Sequence, residues 1–224
     1  NQKLTPEQID KALDIGKELG VLYANQTLTS EQIDKAMDIG ESLYALYENQ
    51  KLTPEQIDKA IDKGIYLGSL YENQKNLSPE NIDHAIDKGR DLDILYYYQH
   101  HKLTPENIDH AIDKGIALNV LYEHNLMPEQ IDRAIDKGKY LYVLYEEQKT
   151  LTPEQIDRAI DIGKYLDYLY IHQKNMSPEN IDKAMDKGIE LGLLYENQDL
   201  TPEQIDRALD KRKDLWGIYL HQTL

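Results

Sequence analysis

One phrase, written nine times, constrains this chain more than any other feature. Its cleanest copy runs from Leu52 to Lys75: Leu-Thr-Pro-Glu-Gln-Ile-Asp-Lys-Ala-Ile-Asp-Lys-Gly-Ile-Tyr-Leu-Gly-Ser-Leu-Tyr-Glu-Asn-Gln-Lys. The first isoleucine of the phrase recurs at Ile9, Ile33, Ile57, Ile82, Ile108, Ile131, Ile156, Ile181 and Ile205. Successive copies therefore lie 24, 24, 25, 26, 23, 25, 25 and 24 residues apart. A fixed period of this size marks a repeat architecture: one unit cannot bury its own apolar face and must stack on a neighbour. Copies open near residues 4, 28, 52, 77, 103, 126, 151, 176 and 200, so residues 1–224 read as a single array. The start, Asn1-Gln2-Lys3, matches Asn49-Gln50-Lys51, and the end, His221-Gln222-Thr223-Leu224, resembles Asn25-Gln26-Thr27-Leu28. Both ends lie within the repeat grammar, and we expect an excerpt from a longer array.

The phrase opens as a helix does. Thr53 is the N-cap, Pro54 takes the first helical position, and Gln56 completes a capping box. Leu52 can pack on Ile57 as a hydrophobic staple. Glu55 places negative charge at the positive end of the helix dipole. Apolar residues then fall at Ile57, Ala60 and Ile61, and again at Leu67, Leu70 and Tyr71, each set at the spacing of one helix face. Two short helices per repeat is the favoured reading, broken at Asp62-Lys63-Gly64, with Asp62 as N-cap of the second. A single longer helix stays open, because Arg212 stands in the glycine slot of the ninth copy. All variation in spacing falls between the tyrosine and the next Thr-Pro, which predicts an exposed inter-repeat loop. Copy six opens Leu126-Met127-Pro128, and Met127 has no oxygen with which to cap. The expected fold class is all-α: an α-solenoid superhelix of nine repeats of about 24 residues.

The phrase Thr-Pro-Glu-X-Ile-Asp-Lys-Ala-Ile/Leu-Asp, at this period, resembles the short helical repeats of the leucine-rich repeat variant and HEAT-like classes. That likeness covers the whole chain and bears on the fold, hardly at all on function; the function expected of the array is a non-enzymatic scaffold or protein-interaction role. The opening Leu-Thr-Pro-Glu-Gln also resembles the first helix of transcription activator-like effector repeats. Those read DNA through a variable pair in the inter-helix loop. Here the matching positions hold Ile or Lys followed by Gly, as in Ile15-Gly16 and Lys88-Gly89, apart from Lys211-Arg212. Two residue types cannot spell a four-base code.

Composition narrows the function classes. With 25 Lys and Arg against 41 Asp and Glu, the net charge is −16. Such a surface repels phosphate backbones and favours solubility and basic partners. There is no cysteine, so thiolate chemistry and disulfides are excluded. No apolar run is long enough to span a bilayer and no signal-peptide pattern is present, so the expectation is a soluble chain, cytoplasmic by preference and without membrane contact. No EF-hand loop, phosphate-binding loop, asymmetric carboxylate pair or Ser-His-Asp setting occurs, and no enzyme activity, metal or cofactor is expected.

Stacking turns each repeat position into a ladder. Lys11, Lys35, Lys59, His84, His110, Arg133, Arg158, Lys183 and Arg207 form a basic one. It runs between two aspartate ladders, represented by Asp58 and Asp62, and cross-repeat ion pairing is the expected outcome. His84 and His110 read as rungs of this ladder rather than as metal ligands. Tyrosines outside the core slot are the candidate partner-binding residues: Tyr66, Tyr97, Tyr98, Tyr140, Tyr142, Tyr165 and Tyr168. Tyrosine gives large contact area at low entropic cost and is enriched at interfaces. The expected partner is a protein, basic by charge. The alternatives are a nucleic-acid role, as an effector-like DNA binder or acidic DNA mimic, and a structural spacer in a larger, for example viral, assembly.

Overall fold

The computed structural model describes residues 2–174 and 176–222. Asn1, Thr223 and Leu224, which carry part of the terminal repeat phrases, lie outside the described residues. Every regular element among the described residues is helical. They divide into two compact units between Ala117 and Leu118.

Each repeat is a ten-residue first helix, a tight linker and a shorter second helix. In the first unit the pairs are α1 (Pro6–Ile15) with α2 (Leu19–Asn25), and α3 (Ser30–Ile39) with α4 (Leu43–Asn49). Then come α5 (Pro54–Lys63) with α6 (Leu67–Asn73), α7 (Pro79–Lys88) with α8 (Leu92–Gln99), and α9 (Pro105–Lys114). The second unit opens with α10 (Leu118–Leu121). It continues with α11 (Pro128–Lys137) and α12 (Leu141–Glu147), then α13 (Pro153–Ile162) and α14 (Leu166–His172). It ends with α15 (Pro178–Lys187) and α16 (Leu191–Asn197), then α17 (Pro202–Lys211) and α18 (Trp216–His221). Second helices stack on second helices and first on first, as α4 on α6 and α5 on α7, or α12 on α14 and α13 on α15. This is α-solenoid packing within each unit.

The first helix starts as its sequence dictates. The Gln56 amide N–H donates to Thr53 Oγ1 at 3.3 Å, and the Thr53 amide N–H donates to Gln56 Oε1 at 3.0 Å. At Met127 only the second half of the box survives, an N–H donated to Gln130 Oε1 at 3.0 Å. Leu52 and Ile57, the two ends of the staple, are both buried.

The boundary between the helices falls later than Asp62. Asp62 lies in the last turn of α5, and Gly64 ends the helix in the left-handed region at φ +67°. The N-cap role expected of Asp62 is therefore wrong. The N-cap of α6 is Tyr66, itself left-handed at φ +55° and with no side-chain hydrogen bond. The same slot holds Glu18, Ser42, Asp91, Ala117, Tyr140, Tyr165 and Glu190, all with φ between 51° and 55°. Two left-handed residues, two positions apart, thus turn the chain in every one of these repeats. Arg212 follows the rule without glycine, at φ +52°. The single-helix reading that it kept open is excluded.

The core is the predicted one. Ile57, Ala60, Ile61, Leu67, Leu70 and Tyr71 are all fully buried. The tyrosine of this slot is equally buried in eight repeats, at Tyr23, Tyr47, Tyr71, Tyr96, Tyr122, Tyr145, Tyr170 and Tyr195.

What joins one repeat to the next is a ladder of buried amides. Gln74 Nε2 donates to Tyr47 O at 2.5 Å and Gln50 O at 2.8 Å, while its Oε1 accepts from Leu52 N at 3.0 Å. Gln50, Gln173 and Gln198 bind the preceding repeat in the same way. A second set uses the capping-box residue. Asn81 Nδ2 reaches back to Pro54 O at 3.0 Å and Asp58 Oδ1 at 2.7 Å. These amides satisfy backbone groups that the turn between repeats leaves without a helical partner. The inter-repeat loop is therefore not simply an exposed connection: Gln50, Gln74, Gln173 and Gln198 are buried within it, and Gln99 is buried at the end of α8. Extra length is absorbed outside the buried amides. Asn76 donates to Leu52 O at 2.7 Å, and His100–Lys102 coil into a short 3₁₀ turn.

Candidate partner-binding surface

The repeat presents two long faces with different chemistry. The first helices carry the charged ladders, and their charges are spent on each other. Lys35 Nζ lies 2.7 Å from Asp14, and Lys59 Nζ lies 2.8 Å from Asp38. Lys183 reaches both Asp157 and Asp161 at 2.7 Å, and Arg207 takes Asp182 and Asp186. Lys59, Arg158, Lys183 and Arg207 each straddle the two aspartates of the repeat before, the cross-repeat pairing the sequence predicts, while Lys35 pairs with Asp14 and donates to the Asp10 carbonyl. The hydrogen bonds from Lys59, Lys88 and Arg207 hold Asp38, Asp62 and Asp186 below the usual carboxylate range. These pairs lie at the surface, where solvent screens them and each adds little stability. Their effect is on register more than on stability.

His84 and His110 sit in the same rungs. The His84 ring nitrogens face Asp58 and Asp62 at 3.0 Å each, and those of His110 face Asp83 and Asp87 at 3.1 Å. The two carboxylates stand on opposite edges of each ring, so they cannot share one ion with it.

The second helices and the linkers carry the tyrosines. Tyr66 and Tyr165 stand in the second left-handed slot, about half exposed. Each ring meets a tyrosine from the second helix of the preceding repeat. Tyr66 lies edge-on to Tyr44 with centroids 5.9 Å apart, and Tyr165 lies 5.4 Å from Tyr142. Tyr142 also meets Tyr168 at 5.7 Å, and Tyr168 stacks on His172 at 6.0 Å. Four aromatic rings of the second unit thus form one continuous cluster. Tyr140 occupies the same left-handed slot one repeat before Tyr165 and is exposed. Tyr97 and Tyr98 form a separate edge-to-face pair at 4.9 Å in the first unit. The Glu72 carboxylate accepts the Tyr98 hydroxyl and pushes its pKa up.

Within the first unit Tyr66 pairs with Tyr44 and Tyr97 pairs with Tyr98, as two separate contacts. Within the second unit Tyr142, Tyr165 and Tyr168 come together. Tyr44 was not among the predicted residues, although it belongs to the pair with Tyr66. Its signal is a register one: Tyr44 and Tyr142 hold the same position in their repeats, each preceding a tyrosine of the left-handed slot.

Comparison with protein-family models, curated proteins and solved structures finds no match for this chain.

Proposed function

We propose that this chain is a non-enzymatic protein-interaction module, a scaffold of the kind that leucine-rich repeat variant and HEAT-like repeats build. Its partner docks on the second-helix face and is basic. The observation that carries this reading is an aromatic group in each unit: exposed Tyr44 with exposed Tyr66 in the first, and exposed Tyr165 with half-buried Tyr142 and Tyr168 in the second. Rings of this size at the surface suit a protein partner, where tyrosine supplies rigid contact area. The net charge of −16 selects for positive partners and against phosphate backbones. On the first-helix face Lys59, Lys183 and Arg207 bridge aspartates of the preceding repeat, which supports placing the docking surface on the other face.

Affinity capture from a lysate at graded salt, with and without nuclease, tests the reading. A discrete protein that survives nuclease and is released by moderate salt is the expected result. Recovery of nucleic acid, or of proteins that free DNA competes away, would replace this reading with a nucleic-acid role.

A further inference from the structure

The first unit carries an open groove where the linker and second helix of the first repeat meet those of the second. Its volume is about 530 Å³. The floor is made of small residues, Gly20, Ala24 and Ala45, with Tyr44 as a half-exposed wall. A Cβ at Gly20 would make ordinary contacts, 3.5 Å from Ser42 and 3.7 Å from Ala45. Glu18, Glu41 and Glu48 stand on the rim, all three exposed. Among the described residues no lysine or arginine lines the groove, and none of the three glutamates is in an ion pair.

That contrast singles the groove out. On the first-helix face, aspartates are bridged by the next repeat's cation, as Asp14 is by Lys35. Here three carboxylates, a tyrosine ring and an apolar floor share one concavity with no cation of their own. A groove of this volume takes a side chain with its flanking backbone rather than a bare ion. We infer that it seats an arginine side chain of a basic partner, the guanidinium stacked on Tyr44 and its N–H groups forked onto the glutamates. Arginine fits better than lysine because its guanidinium is planar, stacks on aromatic faces and donates to carboxylates in pairs. This inference rests on the interaction-module reading and names the chemistry of one docking point within it.

The test is fluorescence anisotropy of the intact chain with a labelled peptide of alternating glycine and arginine, against the same peptide with citrulline or lysine in place of arginine. Citrulline keeps the shape and removes the charge. Tyr44→Ala should weaken arginine-peptide binding about fivefold at unchanged net charge. Glu18→Gln, Glu41→Gln and Glu48→Gln together should weaken it at least tenfold. Glu123→Gln, Glu146→Gln and Glu147→Gln, which change the net charge equally but lie in the other unit, should change it less than threefold. The citrulline and lysine peptides should bind more weakly than arginine. Should the triple variant misfold by circular dichroism, Glu41→Gln alone and Tyr44→Leu carry the same comparison. Equal losses in the two glutamate triples, no effect at Tyr44, or citrulline bound as well as arginine would each overturn the seat. A captured protein partner that persists while the seat fails leaves the module reading standing. Peptide binding that follows these expectations with no protein ever captured removes the module reading and keeps the seat.

Discussion

At the scale of single residues, two side chains explain most of the internal order, and both are polar. The first is the core tyrosine. Its hydroxyl is buried in eight repeats without a protein hydrogen-bond partner. Burial pushes the Tyr23 and Tyr47 hydroxyls up to about 12, and raises Tyr71, Tyr96, Tyr122, Tyr145 and Tyr170 as well. The folded-state value lies above the unfolded one near 10, because burial disfavours the phenolate. Below pH 10 both states are protonated and the contribution is present in full. Between 10 and 12 the unfolded chain ionises first, so stability falls as the pH rises. We predict cooperative alkaline unfolding in that window, with absorbance at 295 nm and helical circular dichroism changing together. Gradual ionisation of all 17 tyrosines with the helices intact would contradict it. The second side chain is the loop glutamine. Gln74→Leu deletes three hydrogen bonds and leaves Tyr47 O, Gln50 O and Leu52 N without them in a buried place. Unsatisfied buried groups cost about 1–3 kcal/mol each, so the three together set the expected loss in chemical denaturation at about 3 kcal/mol or more. A loss under about 0.5 kcal/mol would mean that the amide ladder does not hold the repeats.

At the scale of elements, what the sequence reveals is what chemistry settles locally. Thr53, Pro54 and Gln56 announce a helix start because their hydrogen bonds close within four residues. Gly64 announces the end because the left-handed region suits it. The start of the second helix has no such signature. Its left-handed cap is Glu, Ser, Tyr, Asp or Ala by turns, and Glu18, Ser42, Tyr66 and Asp91 make no side-chain capping bond, so the nearby carboxylate of Asp62 misleads. The glutamine ladder was hidden for a different reason. Its partners lie 22 to 28 residues away, and only packing brings them together. The Tyr44–Tyr66 pair was likewise a product of stacking, since neither ring has the other in its own repeat. One element allows a direct check. Met127 lacks a capping oxygen, while Thr53 and Thr152 supply one in the same place. Met127→Thr should raise stability by about 1 kcal/mol in chemical denaturation, and an unchanged midpoint would show that the cap is immaterial there.

At the scale of the whole molecule, the two faces divide the work. First helices lock neighbouring repeats through lysine and arginine bridges and histidine hydrogen bonds to aspartate, and these contacts set the register of an acidic chain. Second helices stack through leucine and the buried tyrosine, and leave their linker residues in solvent. Among the described residues no helix is long and apolar enough to cross a membrane. The exposed rings of Tyr66, Tyr140 and Tyr165 stand in a slot that Ser42 fills in another repeat with the same backbone, so serine is tolerated there. Tyr66→Ser, Tyr140→Ser and Tyr165→Ser together remove one ring from each aromatic group and the separate exposed ring of Tyr140, and leave the net charge unchanged. The decisive measurement is capture of the nuclease-resistant partner by this triple variant beside the unaltered chain. Loss of the partner by the variant, with helical content and denaturation midpoint preserved, is the predicted result. Undiminished capture would place the docking surface elsewhere and contradict the account.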